Sequence, residues 1–223
     1  MLVHIAKVLD AASLASVRTI IAGLAFQDGR TTAGWHARTV KRNQQAVPSP
    51  ELAKVQETIV GALKAHAVFA SIVRPRLILA PLVSRSGPGE GYGTHVDDAM
   101  IGGEGSRIRS DLSVTVFLGD PASYEGGELA VQTPSGEETA KAQAGDCLVY
   151  PSTTLHRVLP VTAGERLVAV TWVQSLIRDS EVREMLFDLD RARRAIFEKD
   201  GKTDAFDLIS KSYANLLRRH VEV

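Results

Sequence analysis

The 223-residue sequence has one cysteine, Cys147. A single thiol excludes an intrachain disulfide and a cysteine-built zinc site, and it fits a reducing compartment. Net charge is also missing: Lys+Arg 26 balances Asp+Glu 26. That balance excludes a nucleic-acid binder relying on an overall cationic surface, and it excludes an acidic disordered tail. No apolar run reaches the roughly 18 residues of a membrane-spanning helix, and Met1 to Asp10 lacks a charged leader before a long apolar stretch. The expectation is a cytoplasmic protein that engages neither membrane nor nucleic acid. Internal repeats and low-complexity tracts are absent too. What is present is 44% hydrophobic residues in 24.0 kDa. A chain of this size buries a full core unaided, so a bound metal would serve chemistry rather than folding.

Periodicity divides the chain into three. In residues 1–75, Leu14, Val17, Ile21 and Leu24 recur at helical spacing after Asp10, a fitting N-cap. A polar stretch, Gln27 to Val47, reads as loop or irregular strands. Ser49, Pro50 and Glu51 then open a second helix with Leu52, Val55, Ile59 and Leu63 as its apolar stripe. In residues 76–177 the pattern changes to about eight short β-rich runs, the spacing of a sandwich or barrel. They are Arg76 to Val83, Tyr92 to Asp97, Asp111 to Leu118, Gly127 to Gln132, Glu138 to Gln143, Cys147 to Tyr150, His156 to Val161 and Arg166 to Gln174. Residues 178–223 return to helix, with Val182, Met185, Leu186, Leu189 and Ile196 on one stripe and Ile209, Tyr213, Leu216 and Leu217 on another. The fold class is α+β: a β-core flanked by N- and C-terminal helices.

The chemistry concentrates in Tyr92-Gly-Thr-His95-Val-Asp97 and in His156, about 60 residues on. Residues i and i+2 of a strand share a face, so His95 and Asp97 can direct an imidazole and a carboxylate to one point. His156 opens a later strand, and strands distant in sequence become neighbours in a closed β-fold. Two imidazoles and one carboxylate form the facial triad of non-haem Fe(II) oxygenases, which leaves positions open for a chelating co-substrate and dioxygen. Arg166 follows His156 by ten residues. A hairpin turning at Thr162 to Glu165 would bring its planar fork near the metal, where it suits the distal carboxylate of 2-oxoglutarate.

These motifs identify a resemblance. With Asp28-Gly-Arg, Val40-Lys-Arg-Asn43-Gln-Gln, Arg109-Ser-Asp-Leu-Ser113, Glu125-Gly-Gly-Glu-Leu129, Tyr150-Pro151, Gly164-Glu-Arg166 and Leu186-Phe-Asp-Leu-Asp190, the chain resembles the PKHD-type hydroxylases. These are bacterial Fe(II)- and 2-oxoglutarate-dependent dioxygenases related to the prolyl 4-hydroxylases. The resemblance implies a double-stranded β-helix (jelly-roll) core, His95, Asp97 and His156 as iron ligands, and Arg166 as the 2-oxoglutarate anchor. It also implies O2 as co-substrate, L-ascorbate as reductant, and hydroxylation of a small-molecule or peptide substrate. One departure stands at Ser84-Arg85-Ser86, where relatives often carry tyrosine in place of Ser86; this bears on substrate and co-substrate contacts rather than on the iron ligands.

Alternation extends the site. If Arg166 faces inward, so do Val168, Val170 and Trp172, and Trp172 is a candidate pocket residue. Ser113 and Thr115 form the polar face of their strand and are candidate pocket residues as well; solvent exposure is the alternative for that face. Tyr92 is a candidate 2-oxoglutarate contact, with buried packing as its alternative. His4, His36, His66 and His220 lack partners at ligand spacing and are assigned to surface or capping roles. Cys147 is expected to be a buried small hydrophobe, and Arg191, Arg193 and Arg194 a solvated face. Charge is unevenly spread: residues 1–75 carry 9 basic and 4 acidic residues, and 76–177 carry 7 and 12. The basic loop with Arg38, Lys41 and Arg42 is a candidate cover for the barrel mouth, favouring an anionic substrate. Two other readings stay open on the residues alone: a cupin-like metalloenzyme that does not use 2-oxoglutarate, and a non-catalytic, iron-sensing jelly-roll module. Homo-oligomerisation is compatible with the C-terminal helices.

Overall fold

Residues 2–103, 105 and 107–222 are described in the computed structural model. Helix α1 (Ala11–Ala22) begins where the Asp10 carboxylate accepts from the Ser13 N–H at 2.7 Å, and it buries Val17 and Ile21. Helix α2 (Pro50–Ala65) has Ser49 accepting from the Leu52 N–H at 3.1 Å, with Pro50 in its first turn. Glu51 at its start and Lys64 at its end suit the helix dipole. Its buried residues are Leu52, Val55, Ile59 and Leu63, the stripe expected from spacing. Helix α3 (Ala67–Val73) was not expected; seven residues are too few to display a helical period. Helices α4 (Ser180–Asp200) and α5 (Asp204–His220) complete the chain.

The strands are β1 (Val3–Ile5), β2 (Phe26–Asp28), β3 (Lys41–Arg42), β4 (Gln44–Ala46), β5 (Pro75–Ile78), β6 (Leu82–Ser86), β7 (Gly91–His95), β8 (Met100–Ile101), β9 (Ile108–Arg109), β10 (Leu112–Phe117), β11 (Tyr124–Gly126), β12 (Leu129–Thr133), β13 (Gly136–Ala140), β14 (Cys147–Pro151), β15 (His156–Val158), β16 (Val161–Gly164) and β17 (Arg166–Ser175). The major sheet runs β1-β14-β10-β17-β6-β4-β2, with β5 added on β17. The minor sheet runs β13-β12-β15-β7-β3. Two pairs, β8-β9 and β11-β16, lie outside both.

One apolar cluster joins the sheets: Phe117, Leu148, Tyr150 and Val168 from the major sheet meet Leu129 and Val131 from the minor. A second covers the other face of the major sheet, where Val83, Val114, Val116, Val149 and Ala169 pack on Val17, Ile21, Val55, Ile59, Leu63 and Phe69 of the helices. The major sheet is thus covered on both faces, and all six residues of β10 are buried. Ser113 and Thr115 therefore face the inter-sheet space rather than solvent. The architecture is α+β, a double-stranded β-helix backed by helices.

The boundary at residue 75 is not a structural border. β1, β2 and β4 extend the major sheet and β3 the minor one, so the N-terminal part is woven into the jelly roll. Strands of two or three residues carry too little alternation to announce themselves in a polar stretch. The α4 stripe also differs from expectation: Met185 is 47% exposed, whereas Arg183 and Asp190 are buried beside Val182 and Leu186. Tyr213, Leu216 and Leu217 of α5 pack on Ile177, Val182 and Leu186. Asp190 accepts from Arg193 Nε at 2.7 Å, Arg194 Nε at 2.8 Å and Ser71 Oγ at 3.2 Å, so Arg193 and Arg194 are ion-paired rather than merely solvated.

Candidate metal centre and inter-sheet cavity

The site begins with a register match. β7 and β15 are antiparallel neighbours in which His95 lies opposite His156, and opposed side chains on one face come into contact. The two ring centroids are 4.2 Å apart. His95 Nδ1 lies 2.8 Å from the Gly93 carbonyl, and His156 Nδ1 lies 2.9 Å from the Thr154 carbonyl. A carbonyl only accepts, so each Nδ1 carries the proton and each Nε2 keeps its lone pair for a metal. Burial, reinforced by the neighbouring His156, holds the His95 imidazole below its ordinary range and hence neutral at pH 7.

Asp97 reaches the same point by another route than strand alternation. β7 stops at His95, and Asp97 lies in irregular chain beyond it. Its anchor comes from the opposite sheet: Ser113 Oγ on β10 donates to Asp97 Oδ2 at 2.5 Å. Ser152 Oγ lies 2.7 Å from Ser113 Oγ. The single Ser113 proton is already given to the carboxylate, so Ser152 donates to Ser113. Oδ1 remains free, 3.9 Å from His95 Nε2 and 3.9 Å from His156 Nε2. The three donor atoms lie within 4.8 Å of one another, wide enough to admit an ion at the ~2.0–2.2 Å of nitrogen and oxygen ligation. Two imidazoles and a carboxylate, oriented by hydrogen bonds on their remote sides, fit an Fe(II)-type facial set.

These atoms face a cavity of about 970 Å³, part of it open to solvent. Arg166 enters from the opposite wall. It does not arrive by a hairpin with His156, because β15 belongs to the minor sheet and β17 to the major one. β16, paired with β11, carries the chain across. Arg166 is 4% exposed, and among the described residues its Nε has no hydrogen-bond partner and it forms no salt bridge. Burial depresses its pKa, and the Phe117 ring lies 5.7 Å away. A buried, unpaired arginine is costly unless an anion completes it, so the donor set fits a carboxylate ligand. Gly127 makes room for it. At φ +69° this glycine adopts a conformation L side chains rarely take, and a Cβ there would sit 2.8 Å from Arg166 Cδ.

The other candidates fall into two groups. Thr115, Tyr92 and Trp172 line the cavity with Val168 and Val170. Tyr92 stacks on His95, centroids 3.7 Å apart, and among the described residues the buried Trp172 indole N–H has no partner. Ser113 does not line the cavity; it is fully buried and orients Asp97. Ser86 is buried and stands opposite Arg166 in the β6–β17 register. Sequence reasoning missed Ser152, Tyr150, whose ring meets His156 edge-on at 4.9 Å, and Gly127. The spare glycine of Glu125-Gly-Gly-Glu was the one available signal for the last. Of the remaining histidines, His66 caps α3 and His4 pairs with Asp146 at 2.7 Å, as befits capping and surface roles.

Comparison with known proteins agrees with this geometry. Residues 81–174 match the family model of the 2OG-Fe(II) oxygenase superfamily, and residues 180–222 match that of the PKHD-type hydroxylase C-terminal domain. A PKHD-type hydroxylase of Gloeothece citriformis is 50% identical over 222 residues, covering 100% of both chains. The chain belongs to the PKHD-type hydroxylase family. Among solved structures, a 2OG-Fe(II) oxygenase family oxidoreductase from Burkholderia pseudomallei superposes with TM-score 0.55 at 21% identity, covering 77% of this chain and 84% of that one. A Pseudomonas putida prolyl-4-hydroxylase gives TM-score 0.51 at 18% identity, over 78% of this chain and 92% of the other. Both share the fold of this PKHD-type chain. No helix among its described residues is long and apolar enough to cross a membrane.

Proposed function

We infer that this PKHD-type hydroxylase is a non-haem Fe(II)- and 2-oxoglutarate-dependent dioxygenase in which His95, Asp97 and His156 hold the iron and Arg166 anchors the co-substrate. The observation that carries the reading is the pairing of a three-donor set on one wall with a buried, unpaired guanidinium on the other. A metalloenzyme without a keto-acid co-substrate has no use for that arginine. Iron with bound 2-oxoglutarate and O2 supplies oxidative decarboxylation to succinate and CO2, with the second oxygen atom inserted into a C–H bond of the substrate.

The protein's own part is positional. Gly93 and Thr154 carbonyls fix the imidazole tautomers, and Ser152 and Ser113 aim the Asp97 oxygen. Arg166 orients the keto acid through its distal carboxylate, with Tyr92, Thr115 and Trp172 as neighbouring contacts. Leu129, Val158, Val168 and Val170 give the cavity an apolar lining that limits water around the reacting bond. Ascorbate is the proposed reductant and the cytoplasm the proposed location, the latter supported by one unpaired, buried cysteine. Anaerobic addition of Fe(II) and 2-oxoglutarate should produce a weak visible charge-transfer band. Failure to see it in the wild-type chain would overturn the reading.

A further inference from the structure

Among the described cavity-lining residues, Lys41 and Arg166 are the only Lys or Arg. Of the basic loop residues Arg38, Lys41 and Arg42, the first and last are exposed and lie outside the cavity lining. Lys41 is 6% exposed on β3, the strand beside β7, with the Tyr92 ring 5.3 Å from its Nζ. It therefore stands on the metal's own wall, while Arg166 stands on the facing one.

Its hydrogen bonding leaves it incomplete. Lys41 Nζ donates to Thr32 Oγ1 at 3.0 Å, and Thr32 Oγ1 donates onward to Gln45 Oε1 at 2.5 Å. The direction is fixed, because an ammonium cannot accept. Among the described residues two of its three N–H donors stay unused and Lys41 forms no salt bridge. Burial brings its pKa down to about 8, against the opposing pull of the Asp97 and Asp28 carboxylates. A buried ammonium with free donors, facing a cavity, is completed by an anion.

That anion is not 2-oxoglutarate on the reading above, which places the keto-acid end on the metal and the distal carboxylate on Arg166. We propose that Lys41 binds a carboxylate of the substrate, and that the hydroxylated molecule is an apolar body carrying one free carboxylate. The group is singly charged because one ammonium faces it. A phosphate dianion would leave a second negative charge uncompensated on the wall that already carries Asp97. The body is apolar because Leu82, Leu129, Val158, Val168 and Val170 line the cavity that both cations face.

Trp172 offers a reporter within the cavity, since the chain has only two tryptophans and Trp35, 81% exposed, can be replaced. In a Trp35→Phe background, anaerobic Fe(II)-loaded protein is first titrated with 2-oxoglutarate, then at saturation with isovalerate or its neutral isostere isovaleramide, following Trp172 fluorescence. Isovalerate should give a saturable change that weakens about tenfold or more in Lys41→Met and in Lys41→Gln. Isovaleramide should bind at least about tenfold more weakly than isovalerate to the wild-type site. Unchanged 2-oxoglutarate affinity in both Lys41 variants would show that they fold and that Lys41 is not the co-substrate anchor. Equal binding of acid and amide, no saturable response to isovalerate, tighter binding of isobutyl phosphate than of isovalerate, or an undiminished response in the Lys41 variants overturns the proposal. If 2-oxoglutarate binds Arg166→Met as tightly as wild type, the premise falls first, in the step before isovalerate is added.

Discussion

Two of the regions that bury charge treat it oppositely. In the C-terminal helical layer the buried charges are matched: Asp190 sits among Arg193, Arg194 and Ser71, and Arg183 donates to the Ile177 and Arg178 carbonyls at 2.7 and 2.9 Å. In the inter-sheet cavity the charges are left open: among the described residues Arg166 forms no salt bridge, Lys41 hydrogen-bonds only a threonine, and Asp97 Oδ1 stands 3.9 Å from each imidazole Nε2. An unpaired buried charge costs more stability than one that is paired and hydrogen-bonded. Charge placed for structure is therefore satisfied internally, and charge placed for function waits for a ligand.

Five substitutions test that contrast. The largest effect should come from His95→Ala or Asp97→Ala, either of which should abolish iron-dependent succinate formation from 2-oxoglutarate; near-normal succinate yield in either variant would remove the triad. Next, Arg166→Met should weaken 2-oxoglutarate binding by about 10–100-fold, the worth of a charge-assisted carboxylate contact. The same change should leave the ligand-free fold as stable or more so by up to ~1–3 kcal/mol, since it removes an unpaired charge. Titration calorimetry and urea unfolding measure the two halves. A marked loss of stability would mean that Arg166 is structural.

Ser113→Ala should cost about 10–100-fold in Fe(II) affinity, because Asp97 loses the donor that aims it. An unchanged affinity would make Ser113 a packing residue. Asp190→Asn is the smaller, opposite case: it should destabilise the helical layer by ~1–3 kcal/mol and leave 2-oxoglutarate affinity unaltered. Burial would raise the Asp190 carboxyl pKa, but hydrogen bonds from Arg194 and Arg193 outweigh it and hold the pKa below the ordinary 3.8. A depressed folded-state pKa gives stability that is present above the unfolded value and lost as pH falls through the folded one. The wild type should accordingly lose more stability than Asp190→Asn below about pH 4, and parallel acid-unfolding curves would contradict the pairing.

Much of the fold and of the site was open to sequence reading, and the failures are instructive. The caps at Asp10 and Ser49, the α2 stripe, the β-rich middle and the alternation that points Val168, Val170 and Trp172 inward with Arg166 are local properties, and local patterning reports them. Short-range reasoning failed where long-range contact decided the outcome. His95 and Asp97 were expected on one strand face, yet the strand ends at His95 and a serine from the other sheet holds the carboxylate. Arg166 was expected from a hairpin, yet it arrives on the opposite wall because β16 leads the chain away from β15 before β17 begins.

The sequence by itself determined which groups are available: two histidines, an aspartate and an arginine at family spacing, no disulfide, and enough apolar alternation for two sheets and their covering helices. The tertiary structure alone decided which charges are left unpaired. Pairing depends on what the facing wall presents at a given register, and cross-sheet distances are set by packing rather than by position in the chain. That is why Lys41, which the sequence offers as one of three loop cations, becomes a second anion site in the cavity, while Arg38 and Arg42 remain in solvent.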